Sequence, residues 1–410
     1  MDAPYLQSSR REFLAAVGTP LLAASASSFA SNPKGQAPMM HGLIPADHLM
    51  LDPAIVHLQT GTLGLTPRPV FDATMAAGRM IERDPLIAAY GPGKDRMDAV
   101  RRQAAALLGS AMEEIVLTGS TTAGMNMVTQ GLKLATGDRI LTTDQEHHGG
   151  SLCWQWLARR QGVAVDIVPV PPGESDPAAI VDRFRKAITP RTKVLSFSHI
   201  LYSTGLRMPA AELCALGRTR GCVTVVDGAQ AAGAIPVDVK ALGCHVYAAS
   251  GHKWLLGPKG TGLLYISNDL GLVDAMALQS GRQVNAEGSG VANMAGLYGL
   301  GAAIAYLDAI GLKAVERHNL ALARELRQSL GRLPGIRFAV PPGPLESQLV
   351  TFALPGVDIA SLRKTLADRF KVHVRAVDQN GYTALRASPH LYNRSADVAA
   401  LHKALKLALA

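Results

Sequence analysis

From residue 114 onward the chain alternates short apolar runs with amphipathic stretches. EIVLT (114–118), DRILTT (138–143), VAVDIVPV (163–170) and TKVLSFS (192–198) have strand length and little polar alternation. Between them TTAGMNMVTQGLKLA (121–135), GSLCWQWLARRQ (150–161), DPAAIVDRFRKAI (176–188) and PAAELCALGRTRG (209–221) carry apolar residues at helical period. CVTVVD (222–227), CHVYAAS (244–250) and TGLLYIS (261–267) add three strands joined by short links. Continuously apolar strands separated by one-sided helices predict a mostly parallel sheet covered on both faces. That is a doubly wound α/β domain.

The pattern changes after residue 290. Residues 292–310 and 313–333 form two long helical stretches. Short strands (336–340, 348–354, 371–377 and 383–389) then alternate with a helical segment at 358–370 and a final helix. The expected partition is a large domain over residues 76–285 and a smaller α+β domain over 286–410. Residues 31–75, rich in Gly and Pro, are expected at their junction.

Residues 1–30 read as an address rather than as fold. Arg10 and Arg11 stand in SRREFL, followed by AAVGTPLLAASASSFA, a mildly apolar run ending in small residues. A twin arginine before such a run is the pattern of a twin-arginine export signal, with cleavage expected after Ala26 or Ala30. The run is shorter than the roughly 20 apolar residues a membrane span needs, and Gly18 and Pro20 interrupt it as a helix. The expectation is a periplasmic mature protein with no membrane segment, delivered folded by the twin-arginine machinery.

Bulk composition narrows the class further. The 410 residues are 48% hydrophobic and 18% charged, as in ordinary globular proteins. The net charge of +9 is spread along the chain without a basic run or interleaved aromatics, so a nucleic-acid partner is not expected. Cys153, Cys214, Cys222 and Cys244 fit no zinc spacing and read as buried free thiols.

The chemistry-bearing residues fall where strands end, which is where parallel sheets bind ligands. TGSTTAGMN follows the first strand and opens a helix. Its free N–H groups, with the Thr121 and Thr122 hydroxyls, suit a phosphate, and equally a plain N-cap. Asp227 ends a valine-rich strand, a costly place for a carboxylate unless a cation such as a protonated ring nitrogen meets it. A cap for the following DGAQ turn explains Asp227 as well. Lys253 lies in SGHKWLLGPKGTG, just past the next strand. Its amine suits a Schiff base with a cofactor aldehyde, followed by acid–base work, while Ser250 and His252 are placed to share the phosphate. A surface-loop lysine fits poorly beside Trp254 and LLGP. His147, in DQEHHGGS, is suited to stacking on a flat heteroaromatic ring, although a structural histidine is the stronger reading of that residue alone. Adjacent Glu146, His147 and His148 do not make a convincing metal site. Taken together, these residues match the needs of pyridoxal 5′-phosphate.

From about residue 45 to its C-terminus the chain resembles the class V aminotransferase family of fold-type I pyridoxal-phosphate enzymes, and within it the isopenicillin N epimerase-like branch. The resemblance is strongest from SHILYSTGLRMP through VVDGAQAAGAIPVDV to SGHKWLLGPKGTGLLYI, with QTGTLGLTPRPV and LRASPHLYN as further matches. It implies Lys253 as the Schiff-base lysine and Asp227 as partner of the pyridine nitrogen. It implies Gln230 beside the cofactor's phenolic oxygen and His147 on its ring. Thr121, Thr122, Ser250 and His252 would hold the phosphate, and Arg386 the substrate carboxylate. EGSGVAN (287–293) resembles the loop by which a second subunit completes the phosphate site, with Ser289 where Thr is more usual, so a homodimer is implied. Cysteine desulfurases of the family carry a reactive cysteine shortly before the substrate arginine. The corresponding stretch here, VHVRAVDQNGYTALRAS, has none.

The resulting expectation is an enzyme acting at the α-carbon of an amino acid or peptide-linked amine. Reprotonation on the other face gives epimerisation, protonation of the cofactor gives transamination, and loss of a β-group gives a lyase. Tailoring of a secreted peptide or siderophore precursor is a further possibility. The intact lysine and aspartate argue against a non-catalytic cofactor-binding protein.

Overall fold

The computed structural model describes residues 40–89, 92–270 and 292–410. The expected export signal and Ser289 lie outside these residues. Seven strands form the large sheet: β1 (Ile115–Thr118), β2 (Arg139–Thr143), β3 (Ala164–Val168), β4 (Thr192–Ser198), β5 (Val223–Asp227), β6 (Val246–Ser250) and β7 (Gly262–Ile266). Their spatial order is β1-β7-β6-β5-β4-β2-β3. Strands β3, β2, β4, β5 and β6 pair in parallel, and β7 runs antiparallel to both β6 and β1.

Alternate residues of these strands enter different cores. Leu117, Leu141, Leu195, Val226 and Leu263 pack on one side, and Val116, Ile140, Val194, Val225 and Leu264 on the other. Both faces are therefore buried, which is why the strands read as unbroken apolar runs. Among the described residues ten helices have ten or more residues: α1 (Arg68–Arg83), α2 (Pro92–Leu108), α3 (Thr121–Gly131), α4 (His148–Gln161), α5 (Pro177–Ala187), α6 (Ala210–Thr219), α7 (Met294–Ile310), α8 (Leu312–Leu330), α9 (Ile359–Phe370) and α10 (Ser395–Ala408).

A second sheet has the order β8-β9-β11-β10, with β8 (Arg337–Phe338), β9 (Val350–Ala353), β10 (Arg375–Gln379) and β11 (Tyr382–Ala387). Leu326, Phe352, Leu366, Leu385 and Leu401 form its core, between this sheet and α8, α9 and α10. Helix α7 lies beyond the expected boundary at residue 285, yet Leu297, Leu300, Ile304 and Leu307 belong to the large core and pack beside α1 and α2. The large core thus continues past that boundary, because α7 is apolar on nearly every side and is covered on most of them up to Leu307. Residues from the N-terminal segment touch both parts: Leu43 N donates to Leu391 O (2.6 Å) and Gly64 N to His252 O (2.9 Å).

The register sets one functional edge. Ser198 lies opposite Asp227, Asp227 opposite Ala248, and Gly262 opposite both Ser250 and Thr118. The carboxyl ends of β1, β4, β5 and β6 therefore open on the same side. Because β7 runs back from that side, the link carrying Lys253 must lie there too.

Candidate active site

At the first of these strand ends Ser120 caps α3, its Oγ accepting from Ala123 N at 3.1 Å. Thr121 N donates to Ser250 Oγ (3.2 Å), and the two hydroxyls are 2.8 Å apart. Thr122 and His252 line the same cavity. His252 Nδ1 is buried without a hydrogen-bond partner, and burial holds this imidazole below its usual range. The plain N-cap belongs to Ser120, which leaves Thr121, Thr122, Ser250 and His252 grouped at the positive end of a helix.

The cavity has a volume of about 230 Å³. Asp227 lines it, 6% exposed, and its Oδ1 accepts from Ala229 N at 2.9 Å. This carboxylate caps the turn and also faces the cavity. Burial pushes its pKa up, and the charge of Lys253 opposes that rise. Burial draws the Lys253 amine down to about 8, aided by Arg386 and Arg375 and opposed by Asp227. Gly64 backs this lysine, and a Cβ there would fall 2.0 Å from Lys253 O.

His147 caps α4, its Nδ1 accepting from Gly149 N at 3.0 Å. Burial, with Lys253 and Arg375 nearby, lowers its pKa to about 4, so the ring is neutral and Nε2 carries its proton. The ring lies edge-on to Tyr202, with centroids 4.9 Å apart. His147 thus has a structural role as a cap and also lines the cavity. Gln230 is fixed at both ends, Nε2 donating to Gly61 O and Oε1 accepting from Trp254 Nε1, each at 2.8 Å.

Arg386, 1% exposed, enters from β11. Its guanidinium donates to Tyr202 O (2.5 Å) and Thr62 Oγ1 (3.3 Å), and its Nε has no partner. Burial, then Arg375, lowers its pKa to about 9, so it stays cationic at neutral pH. The structure thus gathers Thr121, Thr122, His147, Asp227, Gln230, Ser250, His252, Lys253 and Arg386 around one cavity.

Sequence reasoning missed three further groups and weighed Glu146 only as a metal ligand. Arg375, Tyr202 and Thr62 line the cavity. Behind it, Glu146 bonds Thr143 Oγ1 (2.7 Å), Ser198 N (3.1 Å) and Ser198 Oγ (2.5 Å), and burial pushes its carboxyl up to about 7. Glu146 therefore turns into the sheet and is no partner of His147 for a metal. A signal for Arg375 was present. Asn380-Gly381 is a two-residue hairpin turn, and counting back along both strands puts Arg375 opposite Arg386.

These groups fit pyridoxal 5′-phosphate. Hydroxyls and a helix N-terminus suit the phosphate, and His252, with its unpartnered Nδ1, lines the same cavity. A buried carboxylate suits a ring cation, and a depressed lysine amine suits an aldehyde. Fold and site define a pyridoxal-phosphate enzyme of fold type I. Residues 91–401 match the aminotransferase class V family, and the chain belongs to it. It is 36% identical over 391 residues to isopenicillin N epimerase of Amycolatopsis lactamdurans, covering 88% of this chain and 96% of that one. Among solved structures it is similar to the cysteine desulfurase CsdA (S-sulfonic acid) of Escherichia coli, with a TM-score of 0.76 and 28% identity over 89% of this chain and 97% of that one. It is also similar to a variant of C-DES with glycine covalently linked to its pyridoxal-phosphate cofactor (TM-score 0.75, 25% identity, 86% and 96% covered). Pyridoxal 5′-phosphate is the cofactor.

Proposed function

We propose that the protein moves a proton at the α-carbon of an amino acid or peptide-linked amine, and that its main outcome is epimerisation. The observation that carries this reading is Lys253: a buried amine with a pKa near 8 in the same cavity as the unpaired Nε of Arg386. Lys253 Nζ would hold the cofactor aldehyde covalently, Asp227 the ring nitrogen, and the group at the start of α3 the phosphate. Bound there, the cofactor withdraws electrons from the bonds at the substrate α-carbon. Arg386 grips the substrate carboxylate through its two-pronged donor edge and so orients the α-carbon. Lys253 Nζ would take the α-proton. Its pKa lets it hold or release that proton near neutral pH.

Likeness over nearly the whole chain to an isopenicillin N epimerase supports inversion over the other outcomes. The cysteines argue against a persulfide route. All four are buried, none lines the cavity, and burial pushes Cys153 and Cys214 up to about 12. The stretch before Arg386 has no cysteine, and its Gln379 and Asn380 both donate to Asp144 O. Elimination without a protein thiol is the second reading, favoured by likeness to a cystine C–S lyase at a TM-score of 0.77 and 25% identity. A second copy of the chain is proposed to complete the phosphate end through Ser289, and exposed Phe71 and Met75 on α1 offer apolar surface for it. Export to the periplasm by the twin-arginine route is proposed from Arg10 and Arg11 alone.

Borohydride reduction followed by peptide mapping should place the cofactor on Lys253. Incubation with D- and L-amino acids and short peptides in deuterated water should then give α-deuteration with inversion. Accumulating keto acid would replace epimerisation by transamination, and released sulfide or pyruvate would replace it by elimination. A label elsewhere than Lys253 would overturn the reading altogether.

A further inference from the structure

Two cations face the cavity where one α-carboxylate needs only one. Arg375 on β10 lies directly opposite Arg386 on β11. Residues 385 and 387 point into the small-domain core, so by alternation Arg386 points away from it, and its cross-strand partner Arg375 shares that face. Like charges directly opposite on paired strands oppose folding, so the pair is not explained by stability. Neither guanidinium has a carboxylate partner among the described residues, and the Nε of each is buried without a hydrogen bond. Asp378, the acid nearest on β10, is exposed and falls on the other face. Both arginines line the cavity with Lys253, and both bear electrostatically on it. The cofactor phosphate does not account for them, because its donors lie at the start of α3 with Ser250 and His252.

We propose that Arg375 is a second anion site and that the substrate is an amino acid carrying a second carboxylate besides the one Arg386 holds. This rests on the reaction site proposed above and specifies its substrate class. Two planar forks side by side match two carboxylates, each capable of a bidentate, charge-assisted pair. An amide of the same shape offers Arg375 one neutral acceptor and an N–H pair that faces its donors unfavourably.

The test uses the full-length, cofactor-loaded protein and reads the change in cofactor absorbance on titration. Aspartate, glutamate and 2-aminoadipate are each compared with the matching ω-amide, as both enantiomers. At least one acid should bind about 10-fold or more tighter than its amide, equal to about 1.4 kcal/mol. Arg375→Gln should bring that ratio to near one, and Arg375→Lys should keep part of it, since the charge remains. An acid-to-amide ratio near one in the unaltered protein overturns the inference, as does a high ratio that survives Arg375→Gln. Borohydride labelling of the same preparation separates two failures. A protein labelled at Lys253 but blind to the second carboxylate overturns only the anion site. An unlabelled protein overturns the reaction site and this inference with it.

Discussion

A buried lysine with a pKa near 8 should load its cofactor with a distinctive pH profile. Only the neutral amine attacks an aldehyde. With the pKa drawn from 10.5 to about 8, about a tenth of Lys253 is neutral at pH 7, against about one in three thousand for an ordinary lysine. Loading of the cofactor-free protein at saturating pyridoxal phosphate should therefore accelerate about tenfold per unit below pH 8 and level off above it. The growth of yellow colour in a stopped-flow mixer follows this directly, and borohydride trapping confirms the site. Arg375→Gln removes a neighbouring cation, so the plateau should move to higher pH.

The same shift fixes the direction of the stability change. Between about pH 8 and 10.5 the unfolded chain keeps the lysine proton and the folded chain has lost it. Stability of the cofactor-free protein should rise with pH across that window by about 1.4 kcal/mol per unit from this group, about 3 kcal/mol in all. Below the window the folded protein bears the full cost of a buried ammonium. A loading rate that keeps climbing tenfold per unit beyond pH 9.5 would show that Lys253 is an ordinary exposed amine, and the account of the site would fail with it.

Asp227→Asn keeps the acceptor for Ala229 N but removes the charge, so the protein should fold and still bind cofactor while turnover falls roughly 100-fold or more; unchanged turnover would remove Asp227 from the chemistry. Phe352, fully buried in the middle of β9, should cost about 3–5 kcal/mol when replaced by Ala, read from urea denaturation. Changing Arg10 and Arg11 both to Lys should hold a cofactor-loaded protein in the cytoplasm, checked by cell fractionation; a loaded periplasmic variant would refute the export reading.

The large sheet was readable because its strands are short apolar runs closed by polar turns, and all but the edge strand β3 are buried on both faces. The same grammar located Thr121, Asp227, Ser250 and Lys253, since each stands just where such a run stops. Their assembly depends on register, which the runs themselves do not carry. Ser198 meets Asp227, and Gly262 meets both Ser250 and Thr118, only after the strands have paired. Helix α7 shows the limit for packing. Its composition declares burial without saying in which core, and only its contacts with α1 and α2 assign it to the large one.

Tyr202 and Glu146 were beyond sequence reasoning for a different reason. One follows a strand and the other precedes a helix, and nothing local distinguishes either from a packing residue. Their positions beside His147 and Ser198 come from tertiary closure. Arg375 is the opposite case. Asn380 and Gly381 both have positive φ (50° and 81°), as the two-residue hairpin turn requires, and that turn pairs Gln379 with Tyr382. Four residues back on one strand and four forward on the other are both arginines. Alternation alone puts them on one face. The turn chemistry therefore already implied a second cation in the site.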